Sequence, residues 1–504
     1  MTAFVTLDAI PRHWANATPD ALALVDDERR VNWRSLSTHI EACAAMLAQR
    51  GVQPGDRVAI VAENSVELVA LLFATSACRA CAVILNPRLS ARELDSIIEH
   101  AQPRCVVFAA DAAVEAGAHA SRLGASSIAV EGLRGLALLR AADRDNDDAN
   151  IDAAIAAIVY TSGTSGRPKG VMLTHANLLF VAATSAQLRQ LVPADRVLGA
   201  LPIYHVYGLA SMLLGTCCAG ACLHLFARFD AARTLEAIAG AALTVVQGVP
   251  AMYARMLSVT GVARSAHAPA LRHLSAGGSP LDPTLKSQVE ARFRTTLHNG
   301  YGLTECSPSV AQTRLDAPRS DASVGHPIPG IEVRIVDSLQ RNVRSGDVGE
   351  LWVRGPNVMK GYFRDDDATS QAITPDGWLR TGDLARQDED GALFIVGRIK
   401  ELIIRSGLNV YPGEVEAVLN AHDAVSQSVV VGRPGADGNE EVVAFVELAA
   451  GRIADERELQ AFAAANLAPY KRPVELRVLT TLPASATGKV LRHELKRLAQ
   501  RGGA

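Results

Sequence analysis

Short hydrophobic runs alternate with amphipathic stretches along about the first 390 residues, a pattern typical of domains that alternate β-strands with α-helices. Residues 35–49 place apolar side chains at helical spacing, which predicts a helix that stops at Gly51. Residues 56–64, DRVAIVAEN, contain an apolar run that predicts a buried strand. The fold class predicted from this alternation is α/β.

The apolar run AIAAIVY, residues 154–160, predicts another buried strand, which leads directly into a loop rich in Gly, Ser and Thr. A helix is predicted after this loop, with Thr174 as its N-cap. Residues 111–152 are polar and rich in Ala and Asp, and they predict a loose peripheral unit.

The pattern changes near Gly325, where short alternating strands with Gly and Pro turns predict a β-rich subdomain over residues 325–399. The last 105 or so residues alternate strands and helices again and have the size of a compact domain. The predicted organisation is an N-terminal domain of residues 1–399, which includes the β-rich subdomain, and a small mobile α/β domain of residues 400–504.

Composition excludes several classes of function. The chain has 504 residues, 49% of them hydrophobic, and its 50 basic and 53 acidic residues give a net charge of −3. This balance provides no electrostatic footprint for nucleic acid or an anionic membrane. Residues 209–225 form the apolar run that most resembles a membrane span. Gly, Ser, Thr and His interrupt this run, so it is predicted to lie in the protein core. The N-terminal residues show no secretory signal pattern. The eight Cys are therefore predicted to be buried, reduced thiols in a cytoplasmic protein.

The segment YTSGTSGRPKGV, residues 160–171, looks like a phosphate-binding loop. Its glycine backbone N–H groups, its hydroxyls and the Lys169 cation suit an anion. It departs from the G-x-x-x-x-G-K-[ST] loop of nucleoside triphosphatases, because Gly170 stands where that motif has Ser or Thr. By itself, the loop indicates either an anion site or an ordinary surface turn.

Four further segments accompany this loop: NGYGLTE at 299–305, RTGD at 380–383, GRIKELIIRSGLNVYPGEVE at 397–416 and PASATGKVLRHEL at 483–495. Together the five segments resemble the adenylate-forming superfamily, which includes AMP-forming acyl- and aryl-CoA synthetases, adenylation domains of peptide synthetases and luciferases. The resemblance extends from about Leu22 to Lys496. Five motifs in one order are far more specific than any one of them.

The resemblance implies an ATP-dependent ligase that joins a carboxylic acid to coenzyme A, with ATP, Mg²⁺ and CoA as co-substrates. A carboxylate is a poor acylating agent because its leaving group would be oxide. Forming an acyl-AMP with release of pyrophosphate supplies a better leaving group, which the CoA thiol then displaces. Negative charge accumulates at the α-phosphate, so catalysis is expected to rest on positioning and electrostatic stabilisation.

The family motifs imply a role for each matching residue of the nucleotide site. Lys489 would bridge the substrate carboxylate and the α-phosphate, Thr304 would bond the α-phosphate, and Glu305 would coordinate magnesium. Asp383 would accept from the ribose hydroxyls, with support from Arg398. The other expected ATP or AMP contacts are Thr161, Ser162, Gly163, Thr164, Ser165, Gly166 and Lys169 in the loop, and Gly277, Gly278, Ser279, Asn299, Gly300, Tyr301 and Gly302 around the adenine, on which Tyr301 would stack.

For thioester formation, the resemblance implies a rotation of the C-terminal domain about a hinge at Lys400. Gly407 would then line the tunnel for the CoA thiol, because glycine permits close backbone approach. The residues expected near the CoA nucleotide and phosphates are Arg88, Tyr470, Lys471 and Arg472. Many relatives carry Trp-Gly before the strand VVAFVEL, whereas this chain has GADGNEEVVAF, which puts the family's base-stacking contact in question but not the activity.

The segment LPIYHVYGL, residues 201–209, bears on the choice of acid. Amino-acid-activating relatives have an Asp in this segment that holds the substrate ammonium, whereas this chain has His205, which implies an acid without an α-ammonium group. His205 would lie between the acyl pocket and the thiol tunnel, although a lone His beside apolar residues is more often part of the core. The expected pocket residues are Tyr207, Met212, Gln247 and Gly248, with others near Val310. The motifs favour a fatty acid slightly, with an aryl, cinnamic or benzoic-type acid as the alternative.

Two other functions stay open: an acyl-AMP ligase that loads a carrier protein, and a non-catalytic acyl- or nucleotide-binding protein. The second is disfavoured because the set Thr304, Glu305, Asp383, Arg398 and Lys489 is complete. The expected partners are a small-molecule acid, ATP and CoA, and the oligomeric state stays open between a monomer and a homodimer.

Overall fold

A computed structural model describes residues 4–140, 152–162, 168–240, 242–259, 270–435, 439–449, 451–484 and 490–501. Strands and helices are numbered here in chain order. The described residues form two large sheets in the N-terminal region, a four-stranded sheet that follows them, and two small sheets in the C-terminal region.

The first large sheet has nine strands, six of them parallel at its centre. Antiparallel strands close both ends of this sheet. Its strands in spatial order are β16 (His326–Pro327), β15 (Ser309–Gln312), β14 (Leu297–Gly302), β13 (His273–Ala276), β12 (Val245–Gly248), β10 (Arg196–Gly199), β11 (Cys222–Leu225), β1 (Leu22–Val25) and β2 (Arg30–Asn32).

The second large sheet has eight strands, and the four central ones are parallel. These central strands are almost completely buried, which explains their continuous apolar sequences. Its strands in spatial order are β19 (Gly361–Tyr362), β9 (Pro168–Thr174), β8 (Ile155–Ser162), β4 (Cys81–Leu85), β3 (Arg57–Val61), β5 (Cys105–Ala109), β7 (Leu136–Arg140) and β6 (Ser126–Ile128).

The remaining sheets are smaller. An antiparallel four-stranded sheet contains β17 (Glu332–Val336), β18 (Gly349–Arg354), β20 (Leu379–Gln387) and β21 (Leu393–Arg398). The C-terminal region contains the hairpin of β22 (Ile403–Arg405) and β23 (Leu408–Val410), and a sheet of β24 (Val425–Pro434), β25 (Glu440–Leu448) and β26 (Glu475–Leu479).

Helices cover the sheets and bury the core between them. The α-helices of the described residues are α1 (Ala9–Ala17), α2 (Trp33–Gln49), α3 (Val66–Ala77), α4 (Ala91–Ala101), α5 (Val114–Arg122), α6 (His175–Leu188), α7 (Gly215–Cys218), α8 (Ala231–Ala239), α9 (Pro250–Ser258), α10 (Pro283–Phe293), α11 (Asp366–Ala372), α12 (Pro412–Asn420), α13 (Glu456–Asn466) and α14 (Arg492–Arg501). A π-helix, Tyr207–Leu214, precedes α7, and short 3₁₀ turns span Thr304–Cys306, Ile399–Glu401 and Pro469–Lys471.

The predicted α/β class, with a large N-terminal part and a small C-terminal α/β part, is confirmed. Thr174 caps α6 as predicted, because its hydroxyl accepts a 3.0 Å hydrogen bond from the backbone N–H of Asn177. The run at residues 209–225 is buried core, as expected. All eight Cys are free and all but Cys78 are buried. In the part of the chain that the structure describes, no helix has the length and apolar character needed to cross a membrane.

The prediction of a loose unit at residues 111–152 was wrong for the part described. Strand β7 pairs along its whole length with β5, so this segment extends the eight-stranded sheet. Strand β7 has only five residues, LALLR, a signal too short to stand out in a polar segment. Residues 141–151 lie outside the described residues.

Candidate active site

Strands β12 and β13 of the nine-stranded sheet end at one level, where the parallel pairing of β14 also stops, and these positions form the floor of the candidate site. Gly248 of β12 is in register with Ala276 of β13, which is in register with Asn299 of β14. Ligands of parallel α/β sheets bind in the crevice beyond such carboxyl ends. The turn after β13 bends sharply at Gly278, whose φ of +81° favours glycine.

The turn that holds Gly277, Gly278 and Ser279 lies close to the first residue of the π-helix. A Cβ atom added to Gly277 would be in ordinary contact with the ring of Tyr207, at 3.4 Å, so this turn lies against the ring. Gly302, at the end of β14, must be glycine, because a Cβ there would collide with the carbonyl oxygen of Pro308. Gly300 lies two residues before it on the same strand.

Asp383 on β20 is buried and connects two neighbouring elements of the site. Its Oδ2 accepts a 2.5 Å hydrogen bond from the hydroxyl of Tyr301 on β14. Its Oδ1 lies 2.7 Å from Nε of Arg398, the residue opposite it on β21. Burial is the largest cause that raises the pKa of Tyr301 well above its usual value, and the Asp383 charge adds to it. The phenol therefore stays protonated and donates to an ionised carboxylate.

Asn299 is also buried and is held from two sides. Its amide Nδ2 donates to the carbonyl oxygen of Ser323 at 3.0 Å, and its backbone N–H donates to the hydroxyl of Thr313 at 2.9 Å. These bonds fix the end of β14, from which Tyr301 projects toward Asp383.

Glu305 lies in the 3₁₀ turn after β14, next to buried Thr304, and contacts the second large sheet. Its Oε1 accepts a 2.8 Å hydrogen bond from the hydroxyl of Tyr362 on β19. The Lys169 ammonium lies 4.7 Å from the centre of the Tyr362 ring. Since β19 pairs with β9, the strand that carries Lys169, the loop hairpin and Glu305 meet at the junction of the two sheets.

The described residues on either side of the glycine-rich loop belong to the antiparallel strands β8 and β9. Thr161 is opposite Lys169, and Ser162 is opposite Pro168. Gly163, Thr164, Ser165 and Gly166 lie outside the described residues. Gly170, which breaks the nucleoside triphosphatase pattern, has a packing reason, because a Cβ there would lie 2.8 Å from the Ile158 side chain. A strand therefore follows Lys169, where that other motif begins a helix.

The expected acyl-pocket residues surround the start of the π-helix and the end of β12. Gln247 is completely buried directly before Gly248, and Met212 is completely buried within the π-helix. Tyr207 is half-buried beside Gly277. His205 is exposed just before the π-helix, and its Nδ1 accepts a 3.3 Å hydrogen bond from the backbone N–H of Tyr207.

The residues expected to contact CoA fall into two groups. Arg88 pairs with the buried carboxylate of Glu63 at 3.1 Å and donates to the Tyr204 hydroxyl at 2.9 Å. This group lies next to the LPIYHVYGL segment, since Tyr204 directly precedes His205.

The second CoA group lies in the C-terminal region. Nη1 of Arg405 donates to the carbonyl oxygens of Tyr470 and Arg472, and Lys471 pairs with Glu414 at 2.5 Å. Gly407 forms the turn between β22 and β23 with a φ of +74°, and a Cβ added there would meet no atom of the described residues within 4 Å.

The expected hinge residue, Lys400, occupies the 3₁₀ turn between β21 and β22. Lys489 lies outside the described residues, but the helix that follows it is anchored. Nη2 of Arg492 pairs with Glu416 at 2.7 Å, Nη1 donates to the carbonyl oxygen of Val430 at 2.8 Å, and Nε lies 3.4 Å from Glu401, the neighbour of Lys400.

The comparisons with known proteins agree with this geometry. Residues 11–363 match the family described as AMP-binding enzyme, and residues 414–489 match its C-terminal domain. The chain belongs to the AMP-binding enzyme family. It is 34% identical to a feruloyl-CoA synthase of Amycolatopsis sp. over 97% of this chain and 98% of that protein. It is also 34% identical to an indoleacetate–CoA ligase of Aromatoleum aromaticum over 98% of each chain. The crystal structure of ATP-bound MatB from Rhodopseudomonas palustris matches with a TM-score of 0.86 and 31% identity, over 98% of this chain and 99% of that one.

As a member of this family, the protein is an ATP-dependent acid–CoA ligase, and its co-substrates are ATP, Mg²⁺ and CoA. The described residues contain no group of three or more His, Cys, Asp or Glu side chains that could hold a metal ion. The single carboxylate of Glu305 fits magnesium, which commonly binds one or two protein carboxylates together with substrate phosphates and water.

Sequence reasoning missed several residues that this AMP-binding enzyme brings to the site. Tyr362 was not predicted, although the segment KGYF carries a polar aromatic residue shortly before the RTGD motif. No sequence pattern singled out Arg189, His273 or His298, because each occupies an ordinary position at the end or in the interior of a helix or strand. Their proximity depends on how the end of α6 meets β13, where Arg272 donates to the carbonyl oxygen of Arg189.

Proposed function

We propose that this ligase activates an aromatic carboxylic acid by adenylation and then transfers the acyl group to CoA. The proposal rests on the convergence of the Tyr301–Asp383–Arg398 group and the Glu305–Tyr362 group at the same sheet end. Such a site offers separate contacts to a ribose and to a magnesium-bound triphosphate. The aromatic substrates named for the feruloyl-CoA and indoleacetate relatives support an aryl acid over the fatty acid favoured by the motifs.

In the nucleotide site, Asp383 accepts from the ribose hydroxyls. Each carboxylate oxygen can accept more than one hydrogen bond, and Tyr301 and Arg398 hold the Asp383 carboxylate in place. Asn299 and the turn at Gly277 contact the adenine edge, and the Tyr301 ring stacks on its face.

In the phosphate site, Glu305 holds magnesium, and Lys169 contacts the β- and γ-phosphates. Thr304 hydrogen-bonds the α-phosphate. Lys489 neutralises the charge that develops as a carboxylate oxygen attacks the α-phosphorus and pyrophosphate leaves. The loop that begins at Thr161 closes over the triphosphate and opens for release of pyrophosphate.

In the acyl site, the ring of the acid lies between the π-helix and the ends of β12 and β13. Tyr207 and Met212 provide the apolar walls, and the strand ends at Gly248 and Ala276 form the floor. Gln247, which is buried, offers a polar contact to a ring substituent.

For thioester formation, the C-terminal region turns about Lys400 and brings the Gly407 turn to the site. The CoA thiolate attacks the acyl carbon, and AMP leaves. His205 lies where the thiol would approach, while Arg88 and the 470–472 segment bind the CoA nucleotide and phosphates. Arg88 would have to exchange part of its pairing with Glu63 for a phosphate.

The test is a panel of aromatic, straight-chain and dicarboxylic acids, assayed for acid-dependent ATP–pyrophosphate exchange and for CoA thioester. We expect both activities, with the highest kcat/KM for aromatic acids. A preference for straight-chain acids would overturn the aryl assignment. Exchange without CoA thioester would favour an acyl-AMP ligase that loads a carrier protein. Exchange without added acid, or ADP as the product, would overturn the adenylation mechanism.

A further inference from the structure

One face of the nine-stranded sheet carries a row of buried polar side chains below the candidate acyl site. Gln247 of β12 is in register with Ser275 of β13, which is in register with His298 of β14. Residues in parallel register point to the same face, and His273 shares this face because it lies two positions before Ser275. The imidazoles of His273 and His298 stack with ring centres 5.1 Å apart and planes 7° apart. We call Gln247, His273, Ser275 and His298 the polar row.

Arg189 adds a positive charge to this region. It follows α6 as its C-cap residue and is only 3% exposed. Among the described residues, its Nε and Nη1 atoms have no hydrogen-bond partner. Within this part of the chain, the two amide atoms of Gln247 and the two ring nitrogens of His273 also have none, although both side chains are almost completely buried. Buried polar atoms are nearly always paired, so this concentration of unpaired donors points to a ligand.

The neighbouring groups do not neutralise this charge. Burial is the largest cause that lowers the pKa of His273 well below its usual value, and Arg189 contributes to the effect, so the imidazole is neutral at pH 7. Tyr207 also stays neutral, because burial raises its pKa despite the opposing effect of Arg189. The nearby carboxylate of Asp195 pairs with Arg272 instead.

The polar row extends away from the proposed adenylation site. Tyr207 packs against Gly277 at the sheet end, and Ser275 lies two residues before this glycine on the same chain. At ~3.3 Å per strand residue, Ser275 lies about 7 Å and His273 about 13 Å below the site floor. A ring-containing acid with its reacting carboxylate at the sheet end would place its far end at this depth.

We propose that Arg189, with Gln247 and His273 beside it, binds a second carboxylate at the far end of the acid substrate. The inference rests on the proposed function and deepens it, because it defines the substrate as an aromatic dicarboxylic acid. A guanidinium presents paired N–H donors that match the two oxygens of a carboxylate. A carboxylate also supplies the missing countercharge, since removing an unpaired charge from water is costly.

The first experiment compares two acids that differ only in the remote charge: 4-carboxycinnamate and the methyl ester of its ring carboxylate. We expect the wild-type enzyme to use the diacid with a kcat/KM about 10- to 100-fold above that of the ester, the range of a charge-assisted hydrogen bond. Equal kcat/KM for the two acids would overturn the inference. A preference for the ester or for 4-hydroxycinnamate would show that the polar row binds a neutral substituent. That result would also overturn the inference.

The second experiment compares Arg189→Met with Arg272→Met. Arg272 lies next to Arg189, donates to its carbonyl oxygen at 3.1 Å and is paired with Asp195. We expect Arg189→Met to lose the diacid preference while it keeps ester turnover, and Arg272→Met to keep the preference. Preserved preference in Arg189→Met would contradict the assignment.

Thermal unfolding without ATP gives a readout independent of turnover. In the ligand-free protein, Arg189→Met should raise Tm, because it removes an unpaired buried charge, whereas Arg272→Met should lower it. Addition of 4-carboxycinnamate should raise the Tm of the wild type and not of Arg189→Met; an unchanged response in this variant would overturn the inference. If no acid supports pyrophosphate exchange, the proposed function fails, whereas exchange without diacid preference overturns only this inference.

Discussion

The Tyr301 hydroxyl donates a 2.5 Å hydrogen bond to Oδ2 of Asp383, so the end of a parallel strand in the nine-stranded sheet is tied to an antiparallel strand of another sheet. Because the other oxygen of Asp383 faces Arg398, the carboxylate is held in one orientation before any nucleotide arrives. An acceptor fixed in this way is suited to a ribose, since little conformational entropy is lost on binding.

Asp383→Asn should weaken nucleotide binding. We expect the KM for ATP to rise at least about 10-fold, because the amide loses both the negative charge and part of the acceptor capacity. Tyr301→Phe keeps the aromatic ring and should raise this KM less. Asp388→Asn, just beyond β20, is the matched control and should leave it unchanged. A wild-type KM for ATP in Asp383→Asn would contradict the ribose assignment.

Glu305→Gln should increase the magnesium requirement. The substitution removes the carboxylate charge, and we expect acid-dependent pyrophosphate exchange to fall about 100-fold at millimolar Mg²⁺ and to recover in part at higher concentrations. Tyr362→Phe removes only the hydrogen bond to Glu305 and keeps the ring beneath Lys169, so its effect should be smaller. An Mg²⁺ dependence identical to that of the wild type in Glu305→Gln would exclude this residue as the metal ligand.

Lys489→Ala should separate the two half-reactions. We expect adenylation to fall about 1,000-fold, because the charge opposite the developing anion is lost, while CoA transfer to pre-formed acyl-AMP continues. Pyrophosphate exchange and thioester formation from synthetic acyl-AMP measure the two steps. Lys496→Ala, an exposed lysine on α14, is the control. Near-normal adenylation in Lys489→Ala would show that another group provides this charge.

Arg492→Met should destabilise the C-terminal region. Burial raises the pKa of Glu416, and the Arg492 charge opposes that effect, so loss of Arg492 leaves a buried acid without its partner. We expect a loss of about 3 kcal/mol in the unfolding free energy of this region. Hydrogen exchange of α12 and β24 measures the loss, with exposed Arg497→Met as the control. Unchanged protection in Arg492→Met would mean that this ion pair contributes little.

The unfolding free energy should fall between about pH 6.5 and pH 4. Burial, followed by Lys286 and Arg189, lowers the pKa of His298 to about 4, while Glu290 opposes the shift. The unfolded chain titrates near pH 6.5 and therefore binds more protons than the folded chain in this window. His298→Asn should remove on the order of 3 kcal/mol of this loss. Denaturant unfolding at several pH values measures it, with exposed His493→Asn as the control. An unchanged slope in His298→Asn would rule out this group.

The sequence by itself determined the α/β class, the helix after the loop with its Thr174 cap, and the family to which the chain belongs. These features depend on local spacing or on motifs read in chain order, so they survive without knowledge of contacts. The sequence did not predict that residues 111–140 contribute to a sheet, because the pairing of β7 with β5 joins residues about 30 positions apart.

The tertiary structure decided which polar groups meet. Tyr301 and Asp383 are 82 residues apart, and Glu305 is hydrogen-bonded to Tyr362 on β19, the strand that pairs with the loop strand β9. Arg189 reads in sequence as the basic end of a largely apolar helix. The guanidinium is buried where the end of this helix meets β13, and among the described residues its Nε and Nη1 have no hydrogen-bond partner. Local sequence patterns encode secondary-structure propensity and burial. Charge pairing depends instead on the distances between separate segments, and only the folded chain sets these distances.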